Sequence, residues 1–216
     1  MAAGYLFTVL ACLFLALNVV GLETINGKIK VTIQTTAGCS DTWQFITEDL
    51  APTYEHFKDF MEVVFVPWGR ATRDEDGDLS CQFGEDDCWA NRLHRCALNM
   101  LKGNQDAQVE YMICENTSPF PSYKKRSYRC ADAVGLNLDD IDYCVENPGD
   151  ELDLADEVRG KEMTEETDCI PSLIFNDRLD RDLHNQALQN FKRLICMALA
   201  DDPDTGVCEV CDCRGL

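Results

Sequence analysis

Basic charge is scarce in this sequence: 19 Lys and Arg stand against 39 Asp and Glu in 216 residues, a net charge of −20. Such a surface repels phosphate backbones and anionic headgroups, which argues against nucleic-acid binding and leaves basic protein partners open. The plain meaning of the charge is solubility. Histidine is nearly absent too, and His56, His94 and His184 are far apart in the chain, so no motif for a Cys–His protease emerges. No fixed-period repeat or low-complexity tract is present. Beyond residue 20 no long hydrophobic run occurs, which predicts no membrane insertion after processing. An apolar fraction of 45% with 27% charged residues is that of a globular chain.

The one long apolar run occupies residues 5–20, and no charged side chain precedes Glu23. With Gly21 at the cleavage point and Val19 two residues before it, residues 1–21 read as a secretory signal peptide, although the n-region carries no Lys or Arg. The run is short for an uncleaved anchor. Of thirteen cysteines, Cys12 leaves with this segment and twelve stay in residues 22–216, which are expected to form one domain. That density in an oxidising compartment predicts disulfides. The expected location is extracellular, with the lysosome or another endomembrane lumen as the alternative.

Residues 29–35 (IKVTIQT) alternate apolar and polar, the periodicity of a strand. The turn Thr36-Ala37-Gly38 then delivers Cys39. Trp43, Phe45, Ile46, Leu50, Tyr54, Phe57 and Phe60 follow at helical spacing, and Pro52 should kink or restart that helix. Residues 63–66 (VVFV) read as a buried strand. Together these make a βαβ unit with a cysteine at its first turn. Residues 69–168 are Cys-rich and mostly helical in pattern. Residues 172–175 (SLIF) form a further short strand after Pro171, and Leu183, Leu188, Phe191, Leu194 and Ile195 mark one last helix, started by Asp180 or Asp182.

From Cys81 the chain reads CQFGEDDCWANRLHRC. This resembles the signature of the gamma-interferon-inducible lysosomal thiol reductase (GILT) family at Cys81, Gln82, Gly84, Cys88, Asn91 and Cys96. Phe83 stands where the family has His, and Asp87 where it has Glu. VPWGRA (66–71), CADAVGLNLDDIDYCVENPGDEL (130–152), IPSLIFN (170–176) and LICMALADDPDTGVC (194–208) resemble further family segments in the same order. The likeness covers nearly all of residues 22–216, and its details resemble arthropod members. It implies an α/β, thioredoxin-like fold with a Cys-rich helical insertion at about 69–168, stabilised by several disulfides. It also implies a disulfide framework drawn from Cys81, Cys88, Cys96, Cys114, Cys130, Cys144, Cys196 and Cys208. If those eight pair among themselves, Cys39, Cys169, Cys211 and Cys213 are left over.

The departure lies at the reactive position. Family reductases carry Cys-x-x-Cys after the first strand; here the tetrapeptide is Cys39-Ser40-Asp41-Thr42. Backbone N–H groups at a helix start favour a thiolate, so Cys39 keeps the context of a nucleophile that forms a mixed disulfide. Thr42 cannot break that adduct, because a hydroxyl ionises far too weakly and oxygen forms no disulfide. At most it donates a hydrogen bond to the thiolate. The resemblance places a cis-proline at Pro171, which would bring Cys169 toward Cys39. The favoured expectation is nevertheless that Cys169 pairs structurally with another surplus cysteine, the alternative being a Cys39–Cys169 redox pair.

Asn116-Thr117-Ser118 is an N-glycosylation sequon, though Pro119 just after it disfavours use. Residues 74–78 (DEDGD) lack the ligand spacing of a calcium loop and read as a solvated acidic turn. Lys124-Lys125-Arg126 reads as an exposed loop, with proteolytic processing as the alternative. The tail motif CEVCDC suits disulfides better than a metal in the secretory pathway, and no metal or cofactor is expected. Trp68 and Trp89 suit either a binding face or packing. The favoured function is a secreted GILT-like protein that has lost efficient reductase turnover and binds a protein or cell surface. The resemblance sets this in innate immunity or host–pathogen contact. The alternative is an active disulfide reductase or isomerase using Cys39 as a monothiol, resolved by an external thiol or by Cys169.

Overall fold

The computed structural model describes residues 21–207; the expected signal segment up to residue 20 and the tail with Cys208, Cys211 and Cys213 lie outside them. Strand β1 (Ile29–Thr35) is central in a three-stranded sheet of order β2-β1-β5. It pairs parallel with β2 (Met61–Pro67), Ile33 opposite Phe65, and antiparallel with β5 (Ser172–Phe175), Ile33 opposite Leu173. A parallel pair needs a crossover, which is the helical stretch of α1 (Ser40–Gln44), a wide π turn (Phe45–Leu50) and α2 (Ala51–Phe57). The π turn ends where Pro52 enters the first turn of α2, a position at which its missing N–H costs least. This is the expected restart.

Between β2 and β5 run a small hairpin of β3 (Thr72–Arg73) and β4 (Leu79–Ser80) and six helices: α3 (Glu85–Met100), α4 (Gln105–Glu115), α5 (Pro121–Lys125), α6 (Arg129–Ala133), α7 (Leu138–Glu146) and α8 (Glu151–Thr167). The DEDGD segment is the hairpin's turn, where Asp74 Oδ1 accepts the N–H groups of Asp76 and Asp78. The single last helix expected from the apolar spacing is two helices, α9 (Arg181–Gln189) and α10 (Phe191–Ala200). Asn190 breaks them: its backbone turns extended, and its side-chain oxygen caps α10 on the Arg193 N–H. Asp180 caps α9 as anticipated.

One apolar cluster joins the sheet to both groups of helices, including Ile33, Phe45, Leu50, Phe65, Leu93, Tyr111, Phe175 and Phe191. Strand β1 is buried on its polar side as well. There Gln34 Nε2 donates to Gly69 O at 2.7 Å, Gly160 O at 2.9 Å and Thr164 Oγ1 at 3.0 Å, so α8 covers that face. Gly160 lets it come close, since an added Cβ would lie 2.7 Å from Trp68 Cβ. Trp68 is core, fully buried with its indole N–H on Ala71 O. Trp89 stacks on Tyr128.

Three disulfides close within the region between β2 and β5: Cys81–Cys88, Cys96–Cys144 and Cys114–Cys130. Cys196 is disulfide-bonded as well. Alongside them a buried ionic cluster ties α3 to α8. Arg92 binds Asp150 and Asp153 at 2.9 Å, and Arg95 binds Asp153 at 2.8 Å and Pro67 O at 2.6 Å. Burial pushes the Asp153 carboxyl up, but Arg95, the Gly149 N–H and Arg92 outweigh it and hold it below the usual carboxylate value. Removing one member of such a cluster leaves buried charge unpaired. We expect Asp153→Asn to cost about 3 kcal/mol in urea unfolding at neutral pH. Because the folded carboxyl is depressed, its contribution is present above the ordinary carboxylate pKa and fades as pH falls through the folded value. The gap between the two proteins should therefore shrink in acid.

Candidate active site

The site forms where β1 ends. Thr36-Ala37-Gly38 leaves the strand and Cys39 stands at the N-cap of α1, with Trp43 N–H closing the first helical turn on Cys39 O. That turn is held from below by α3. The Asp87 carboxylate is wholly buried and accepts from Thr36 Oγ1, the Gly38 N–H, the Phe83 N–H and Asn91 Nδ2. Asn91, one helical turn on, accepts the Ala37 N–H at 2.9 Å through its own carbonyl. A buried carboxylate persists only when donors replace its water, and here each donor belongs to the nucleophile's loop, the Cys81–Cys88 loop or α3 itself. The Cys81–Cys88 bridge closes the loop carrying Phe83, whose Cβ and ring atoms lie over Gly38.

Cys39 is a free thiol, 8% exposed, and its Sγ is 3.7 Å from Ile170 O. The Ile170–Pro171 peptide is cis, as expected. Register explains the contact: Ser172 pairs with Gln34 near the end of β1, so the loop before β5 arrives beside the loop after β1. Cys169 is also free, which corrects the favoured expectation of a structural disulfide for it. Its neighbour Asp168 is pinned by Arg70, which donates to both the carboxylate and the backbone carbonyl. Burial first, then the charge of Asp41, pushes the Cys169 thiol up.

Thr42 is 0% exposed, and its hydroxyl has no hydrogen-bond partner among the described residues. The hydrogen bond to the Cys39 sulfur, the most that Thr42 could offer there, is not formed. Asn116 is 2% exposed and its Nδ2 donates to Met112 O at 2.8 Å. The atom that would carry a glycan is thus buried and already engaged, which opposes use of the sequon. Of the histidines, His184 accepts the Leu173 N–H, His94 is buried against Ser122 and Glu115, and His56 lies at the end of α2. None is among the groups bonded to Cys39. Lys124 and Lys125 end α5, and Arg126 just beyond is paired with Asp86.

Cys39, Thr42, Cys169 and Pro171, the residues to which the sequence points, all belong to this one corner. The clamp of Thr36, Asp87 and Asn91 was not foreseen. The available signal was the spacing of Asp87 and Asn91, which puts both on one face of a helix.

A free cysteine at a helix start, beside a cis-proline loop at the end of a βαβ sheet, belongs to a thioredoxin-like fold. The crystal structure of Chlamydia trachomatis DsbA shares this fold, with a TM-score of 0.52, 14% identity, and coverage of 80% of this chain and 91% of that chain. The profile of gamma interferon inducible lysosomal thiol reductase (GILT) matches residues 30–134. A gamma-interferon-inducible lysosomal thiol reductase-like protein of Anopheles gambiae is 24% identical over 82% of this chain and 80% of its own length. GILT-like protein 1 of Drosophila melanogaster is 24% identical over 84% and 78%. The matched profile and these insect relatives support the GILT family for this chain. No helix among the described residues is long and apolar enough to cross a membrane.

The close approach of Phe83 to Gly38 gives a test of the clamp. A Cβ on residue 38 would lie 2.4 Å from Phe83 Cβ, close to the backbone and unable to swing away. Gly38→Ala should cost about 1–3 kcal/mol in chemical denaturation. Phe83→Gly in the same chain should recover part of that loss, with a coupling energy of about 1 kcal/mol in the double-mutant cycle.

Proposed function

We propose that this GILT-family chain captures a disulfide-bearing partner through Cys39 and holds it, acting as a binding protein instead of a fast reductase. The observation that carries the reading is Thr42: a buried hydroxyl stands one helical turn after the nucleophile, where release requires a thiol. Attack by the Cys39 thiolate gives a mixed disulfide, and the reaction then waits for a second sulfur nucleophile. The burial of Cys39 supports a partner that presents its disulfide on a protruding segment. The net charge of −20 favours a basic protein or cell surface. The setting is extracellular, or else the lumen of the lysosome or another endomembrane compartment, where disulfide-bearing partners occur. Innate immunity or contact with a pathogen surface is the context that the family resemblance favours.

Purified protein should reduce a model disulfide slowly in the presence of a regenerating dithiol. Thr42→Cys should raise that rate about tenfold or more. A native rate equal to that of a Cys-x-x-Cys relative, abolished by Cys39→Ser, overturns the reading.

A further inference from the structure

We propose that Cys169 is the resolving thiol of this site, attacking the Cys39 mixed disulfide from the loop before β5 in place of the missing thiol at position 42. The inference rests on the capture reading and deepens it by assigning the release step.

Three observations meet at this loop. Cys39 and Cys169 are both free thiols, while every other cysteine among the described residues is disulfide-bonded. The Cys39 sulfur already touches the carbonyl of Ile170, the residue directly after Cys169, and consecutive Cα atoms are about 3.8 Å apart. The Cys169 backbone is also fixed on both sides, by the Arg70–Asp168 pair before it and by the Gln34–Ser172 pairing after it. A structural cysteine would be buried or bridged. This one is half-buried and unbridged, and its loop lies beside the turn that carries Cys39.

The chemistry balances without an added oxidant. The Cys39 thiolate attacks one sulfur of the partner's disulfide, forming a new S–S bond and releasing the partner's other sulfur as a thiolate. Cys169 loses its proton to water and attacks Cys39 Sγ. The Cys39–partner bond breaks, and the partner's second sulfur leaves as a thiolate that takes up a proton. The partner's disulfide is reduced by two electrons, and the two cysteines of this chain are oxidised to a disulfide, which an external dithiol resets. Because burial and the charges of Asp41 and Asp168 outweigh the opposing charge of Arg70 and disfavour the Cys169 thiolate, the second attack is slow near neutral pH and speeds up as pH rises. A long-lived adduct with an internal release step follows.

The test is a single turnover with oxidised glutathione as the probe. The reduced full chain is glutathionylated, freed of excess reagent and followed by intact mass and a non-reducing peptide map. In the native protein the adduct should decay into a Cys39–Cys169 linked peptide, with a rate that rises about tenfold per pH unit below the thiol's pKa. In Cys169→Ser, and in Cys169→Ala as a second variant, the Cys39 adduct should persist about tenfold longer or more, with no such pH dependence. Equal adduct lifetimes in native and variant proteins, or decay without the linked peptide, overturn the inference alone. Failure of Cys39 to form any adduct in native and variant proteins alike overturns the capture reading, and this inference with it.

Discussion

The Asp87 carboxylate is the constraint on which the site depends. It sits in the first turn of α3, where helix N–H groups favour an anion, and it is sealed from solvent. Its donors come from the turn after β1, from the loop closed by the Cys81–Cys88 bridge and from Asn91. Loss of the carboxylate would strand several buried donors at once, and each stranded group costs about 1–3 kcal/mol. The Cys81–Asn91 signature thus works as a bracket that holds the backbone presenting Cys39.

This bracket explains why the family was legible in the sequence although the reactive motif is incomplete. Cys81, Cys88, Asp87 and Asn91 serve a backbone geometry that is needed whether or not position 42 carries sulfur. Their spacing can therefore survive a change at the reactive position. The βαβ unit was legible for a simpler reason. The residues of β1, β2 and β5 have strand periodicity or apolar continuity, and Gly or Pro marks the turns around them.

Other features were hidden because tertiary contacts overrule local pattern. The polar residues of β1 suggest a face toward water, yet Gln34 is fully buried because the backbone carbonyls of Gly69 and Gly160 receive its amide. The apolar spacing across 183–195 reads as one helix because no Gly or Pro interrupts it; Asn190 breaks it by capping the second half. Disulfide connectivity was beyond reach as well. Cys96 meets Cys144 and Cys114 meets Cys130 because α3 packs on α7 and α4 on α6, which no spacing rule encodes. Cys169 is free, and its loop lies against the turn that carries Cys39.

Position 42 holds a hydroxyl where the site is driest. A threonine hydroxyl removed from water ordinarily finds a partner, often the carbonyl one helical turn back. Thr42 finds none in a wholly buried pocket. A thiol in the same space would give up far less, because sulfur is a weak donor and a weak acceptor and behaves as a small hydrophobe. The surroundings of residue 42 are thus those that suit a cysteine, while the residue present is polar and left unpaired. Burial at position 42 therefore costs less with sulfur than with a hydroxyl.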